Sequence, residues 1–176
     1  MVQADAALKV AIQGDGAFKV EELGGTMSAE NVDVTYLEGM PPVTGVSATM
    51  QFDADTFDVV AEEGKSGKID LAGANIRITG LQKVDQYIDI NLQAEAPLPE
   101  ALALIERDPF NFASAMKIDP KSTLGDSKVD LHLYFMLAKD LAVEDVDVKA
   151  TADLTGVAMN DVVLGRDIRD GTLKLA

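Results

Sequence analysis

A chain of 176 residues that is 47% hydrophobic, yet has no tryptophan and only 5% aromatics, suits one domain with a long aliphatic surface better than a pocket with aromatic anchors. Its 30 acidic and 15 basic residues give a net charge of −15 and no basic cluster along the sequence, which argues against a nucleic-acid partner and against attraction to an anionic membrane surface. Cysteine is absent, so disulfides, thiolate metal sites and cysteine nucleophiles are excluded.

Near the start, Leu8, Val10 and Ile12 alternate with Lys9 and Ala11. Gln13-Gly14-Asp15-Gly16 then reads as a turn, and Phe18 and Val20 as the returning strand of a hairpin. Gly24-Gly25 reads as another turn, followed by a strand through Val32, Val34 and Tyr36. Pro41-Pro42-Val43-Thr44-Gly45 breaks regular structure and restarts the chain at the clearest pattern, residues 46–62. There Val46, Ala48, Met50 and Phe52, then Phe57, Val59 and Ala61, flank the polar step Ala54-Asp55. Period-two alternation on both sides of a polar turn predicts a hairpin with one apolar and one wet face.

Residues 62–67 read as a charged turn, after which Ile69 and Leu71, then Ala74, Ile76 and Ile78, face one way. Residues 80–85 break the pattern, and Ile88, Ile90, Leu92 and Ala94 form the next strand. From residue 98 the period changes. Pro99 opens a helix with Leu98, Leu102 and Ile105 on one side, Pro109 stops it, and a short helical turn follows at 112–116, so that 98–117 is a helical insertion. Alternation resumes through Val129, Leu131, Leu133, Phe135 and Leu137, and again through Val146, Val148, Ala150, Ala152 and Leu154. Val157 and Met159 continue less clearly, and Leu173 and Leu175 come last. The count is roughly ten strands, each with one apolar face. One helix cannot cover them, so the sheet closes as a sandwich or barrel, curls into a trough, or buries its face against something else.

No catalytic constellation emerges. His132, the only histidine, falls on the polar face between Asp130 and Tyr134 with no nucleophile beside it. Asp53, Asp55 and Asp58 have the look of a calcium loop, but an EF-hand needs a bend glycine, a distal glutamate and flanking helices, and these acids sit at a β-turn. Gly14-Asp15-Gly16 is too short for a phosphate-binding glycine loop. Pairs such as Glu62-Glu63 or Asp145 and Asp147 belong to an acidic wet face, not to an apolar pocket of the kind that splits carboxyl pKa values. No metal, cofactor or reaction is therefore expected. What the alternation does supply is a set of residues for an apolar lining: Val46, Ala48, Met50, Phe52, Phe57, Val59, Ile76, Ile78, Ile88, Ile90, Leu92, Val129, Leu131, Leu133, Phe135, Val146 and Val148. Such a face could be a closed core or a surface for acyl chains. Burial is worth about 0.8 kcal/mol per methylene, so a lipid surface needs no motif beyond greasiness.

The stretch Tyr36-Leu37-Glu38-Gly39-Met40-Pro41-Pro42-Val43-Thr44-Gly45-Val46, the Gly/Asp-rich turn before it, residues 98–104, Pro109-Phe110, Ala113, Ile118-Asp119-Pro120, Gly125 and Gly171-Thr172-Leu173 together resemble the AsmA-like family, most nearly its large YhdP-type members of Gram-negative bacteria. The resemblance runs from about residue 18 to 176 and rests on turn residues and spacing; the chain departs from it in having no proline after Phe135-Met136-Leu137-Ala138-Lys139-Asp140. It implies a non-enzymatic, periplasmic segment of an inner-membrane-anchored, bridge-like protein that carries phospholipid toward the outer membrane. It offers no catalytic residues. The abrupt start, Met1-Val2-Gln3-Ala4-Asp5, likewise reads as a piece of a longer chain. The expected fold is mainly β, a curved, twisted antiparallel sheet forming an open groove over residues 1–176 with one helical insertion. Expected partners are phospholipid, neighbouring segments of the same chain and other envelope proteins. The competing expectation is a structural or adhesive closed β-sandwich of an envelope protein.

Overall fold

The computed structural model describes residues 1–12, 18–108, 110–115, 117–163 and 166–175. Nine strands make one antiparallel sheet in which every strand pairs with its neighbours in sequence, an up-and-down meander. The strands are β1 (Val2–Ile12), β2 (Phe18–Val34), β3 (Val43–Asp53), β4 (Thr56–Ser66), β5 (Ile69–Thr79), β6 (Tyr87–Pro97), β7 (Thr123–Met136), β8 (Asp147–Val163) and β9 (Arg166–Leu175). Among the described residues pairing runs only between consecutive strands, from β1 to β9, so the sheet is open and the strands form no second sheet. The sandwich expectation lacks its second layer.

Between β6 and β7 lie α1 (Leu98–Ile105) and α2 (Phe112–Ala115), followed by a 3-10 turn at Pro120–Ser122. Pro99 in the first turn starts α1 where its missing N–H costs nothing, and Leu98 and Leu102 are buried on one side, as the spacing predicts. They pack with Ala113, Leu154 and Val157, and Ile105, Ile118 and Ala152 border that cluster. The insertion therefore lies closest to β7, and its apolar side chains reach Leu154 and Val157 of β8. A second cluster, Val46, Ala48, Ala61 and Ala74, sits on β3 to β5, flanked by Val32, Val43, Val59, Leu71 and Leu92.

Three local expectations need correction, and one falls outside the described residues. The turn at 13–16 lies outside them. Gly24-Gly25 is not a turn, because β2 runs straight through it and pairs with both β1 and β3. Its glycines serve close approach: a Cβ on Gly24 would stand 3.1 Å from the Phe52 carbonyl oxygen, and one on Gly25 would meet the Asp5 carbonyl and come within 2.8 Å of the Phe52 ring. The charged stretch 62–67 is mostly strand, since β4 continues to Ser66 and only Gly67-Lys68 turns. Gly64 carries the apolar face onward there, with no room for a Cβ beside Val43 and Val46. Finally, Val146 precedes β8, whose pairing with β7 begins at Asp147 opposite Tyr134.

Several register shifts fall toward the end of the sheet that carries the insertion. They lie between Ala29 and Val32, Thr44 and Ala48, Leu71 and Gly73, and Leu124 and Asp126. Asn31 (φ 53°), Gly45 (66°) and Gly156 (61°) occupy left-handed conformations in this region. Bulges increase local twist and bend a strand, so their grouping concentrates the deformation of the sheet at that end.

Candidate functional site

Cross-strand partners share a face, so the register shows how the apolar positions join. One row runs Ala4, Met27, Met50, Val59, Ile76, Ile90, Leu133 and Val148 across eight strands. Beside it runs Val2, Ala29, Ala48, Ala61, Ala74, Leu92, Leu131 and Ala150. On the other side run Ala6, Gly25, Phe52, Phe57, Ile78, Ile88 and Phe135, with the Phe52 and Phe57 rings 6.5 Å apart. Val129 lies in a fourth row with Leu71, Ala94 and Ala152. Val46 pairs with Val32. Sixteen of the seventeen expected lining residues thus occupy one face, and Val146 stands before the strand.

Burial distinguishes this face from a closed core. Val46 and Ala48 are buried, at 6% and 9% exposure, beneath the bulged end. Met50, Phe52, Phe57, Val59, Ile76, Ile78, Ile88, Ile90, Leu92, Val129, Leu131, Leu133 and Phe135 are all intermediate, and Val148 is 47% exposed. Half-burial is what neighbours in the same sheet provide when nothing lies on top. Face-to-face packing of a second layer would take these side chains the rest of the way.

The opposite face is an ordered polar surface. Arg77 Nε donates to Asp58 Oδ1 at 2.5 Å, Lys65 pairs with Asp70 at 2.8 Å and Lys128 with Glu95 at 2.6 Å, all across adjacent strands. Each carboxylate holds its basic partner charged, raising the pKa of Arg77, Lys65 and Lys128 above the ordinary value. Exposed pairs of this kind contribute about 0–1 kcal/mol each. Their consequence is specificity, because a one-residue slip would put these charges on the apolar side. His132 lies on this face, with Nε2 3.3 Å from Asp89 Oδ1. Asp53 caps its turn by accepting the N–H groups of Asp55 and Thr56, each at 2.8 Å, and these bonds lower its pKa. With Asp53 so engaged and Asp58 paired to Arg77, turn chemistry accounts for the acids that resemble a calcium loop. Among the described residues no group of acids or histidines is placed to hold a metal.

The insertion spans toward the far strands at one end. Lys68, in the β4–β5 turn, reaches Glu100 of α1 at 2.6 Å. Arg107 donates to the Gly39 carbonyl in the β2–β3 loop at 3.4 Å; partial burial raises the Tyr36 pKa, and the Arg107 charge only lessens that rise. Glu106 accepts from the Ser114 hydroxyl and, at 2.7 Å, from its N–H; these bonds hold its carboxyl below the usual range. Alternation could not find Met27 and Ala29, since reading a turn at Gly24-Gly25 breaks the phase just before them. Nor could spacing in the sequence find the contacts of Lys68, Glu100 and Arg107, which join positions far apart along the chain.

No helix among the described residues is long and apolar enough to cross a membrane. Comparison with protein-family models, with curated proteins and with solved structures finds no match to this chain.

Proposed function

We propose that this chain is a non-enzymatic segment of a lipid conduit, carrying phospholipid acyl chains along its apolar face between the inner and outer membranes. The observation that supports the reading best is the set of thirteen lining residues on β3 to β7 that are neither buried nor fully exposed, joined in unbroken rows with no layer over them. An open apolar area of this kind is the usual mark of a surface that takes a partner. Rows of Met, Val, Ile, Leu and Phe offer no fixed polar partner, which fits a ligand that slides. With tails against the rows, the polar face stays in water. A periplasmic setting and contact with neighbouring segments or other envelope proteins follow from the resemblance to AsmA-like proteins.

The test is native mass spectrometry of protein purified without detergent, with organic extraction of the same sample. Co-purifying phospholipid is the expected result. A lipid-free monomer that takes up no acyl chains when offered them would overturn the proposal.

A further inference from the structure

An open cavity of about 730 Å³ lies within the insertion, lined by Ala103, Glu106, Arg107, Ser114, Lys117, Ile118, Asp119, Pro120 and Lys121. Three cations therefore converge where the sequence shows only scattered basic residues. Elsewhere in this acidic chain Lys65, Lys68, Arg77 and Lys128 each stand 2.5–2.8 Å from a carboxylate. Among the described residues Arg107, Lys117 and Lys121 have no such ion pair, a state they share with Lys83, Lys139 and Lys149; what sets them apart is that all three line one cavity. Two carboxylates share the wall, Glu106 held by Ser114 and Asp119 accepting the Lys121 N–H at 3.0 Å, so the three cations outnumber the acids there by one.

Lys117 is held in the cavity wall by the end of α2. Its N–H bonds to the Ser114 carbonyl and the Ile118 N–H to the Ala113 carbonyl, the paired bonds that end a helix with a left-handed residue, and Lys117 sits there at φ 59°. Glycine takes that position without strain, and a lysine pays for it in backbone energy. The cavity is also amphipathic, since Ile118 both lines it and packs against the cluster formed by α1, Leu154 and Val157 on the apolar side of the sheet.

We infer that Arg107, Lys117 and Lys121 form a site for a phosphate-type oxyanion, which on the conduit reading is the headgroup of a phospholipid whose tails lie on the apolar rows. The inference rests on that reading for the tails only. The anion site itself would hold free phosphate by the same chemistry, through charge-assisted hydrogen bonds from lysine and arginine.

Binding of dodecyl phosphate, dodecyl maltoside and inorganic phosphate, each below any micelle concentration, separates the two claims. Wild type is expected to prefer dodecyl phosphate to the maltoside. Lys117→Gly should weaken the phosphate surfactant about threefold and the pair Lys117→Gly, Lys121→Gln about tenfold, with maltoside binding and folding retained. Because glycine relieves the left-handed strain, Lys117→Gly should melt no lower than wild type; a purely structural lysine would leave the headgroup preference untouched. Equal affinity for both surfactants in wild type overturns the anion site and leaves the apolar face standing. Binding of inorganic phosphate and dodecyl phosphate with equal affinity, and of maltoside not at all, supports the site and overturns the lipid reading.

Discussion

Gly25 shows how a single residue can mislead when only its own neighbourhood is read. A Gly-Gly pair between apolar runs is an ordinary turn signal, but here its lack of side chains admits the Asp5 carbonyl and the Phe52 ring against the middle of β2. The ring covers the bare backbone, as aromatic residues do beside strand glycines. Replacing Gly25 by Ala should therefore destabilise the protein by about 1–3 kcal/mol through overpacking, measurable as a lower midpoint in urea. A midpoint unchanged from wild type would mean that β2 does not pass under Phe52. By contrast, the inward set from Val46 to Phe52 and from Phe57 to Ala61 was legible directly, because each residue's neighbours two positions away point the same way.

At the scale of elements, strands and helix were readable to different depths. The helix from Leu98 to Ile105 matches its sequence signals because Pro99 and the Leu98–Leu102 spacing act within one or two turns. The phase change between Leu71 and Ala74 was visible too, and the structure gives its cause as a register shift between Leu71 and Gly73. What sequence could not supply was where the insertion packs, since its cluster with Leu154 and Val157 joins residues some fifty positions apart. That cluster is small and separate from the one on β3 to β5. Leu102→Ala should cost about 2–4 kcal/mol locally, by removing buried methyl groups from a site that cannot fully collapse. Hydrogen exchange should then quicken across α1 and α2 while amides of β3 to β5 keep their protection. Equal loss of protection in both regions would contradict two independent clusters.

At the scale of the molecule, the described residues form a sheet whose apolar rows run from β1 to β8, with the paired charges of β4 to β7 on the other face. Among the described residues nine strands pair in sequence order, and apart from the insertion between β6 and β7 their connections are short, so most of the meander follows from alternation and turn spacing. Whether the face stays open does not follow from alternation. Sandwich, barrel and trough all demand the same pattern, and the difference appears only in exposure, where residues such as Met50 and Leu133 remain half-covered. An open face also gives an introduced charge a route to water, which a closed core denies at a cost of several kcal/mol, enough to unfold a domain of ordinary stability.

Uptake of a photo-crosslinkable phospholipid, followed together with the thermal melt of Met50→Glu and Leu133→Glu, is the measurement that tests acyl-chain binding on this face most directly. Both variants should fold and lose most of the lipid crosslinking seen in wild type, while Gln51→Glu and His132→Glu, on the polar face, should crosslink as wild type does. If the inward variants fail to fold and wild-type protein captures no lipid, the apolar rows are a core and not a conduit.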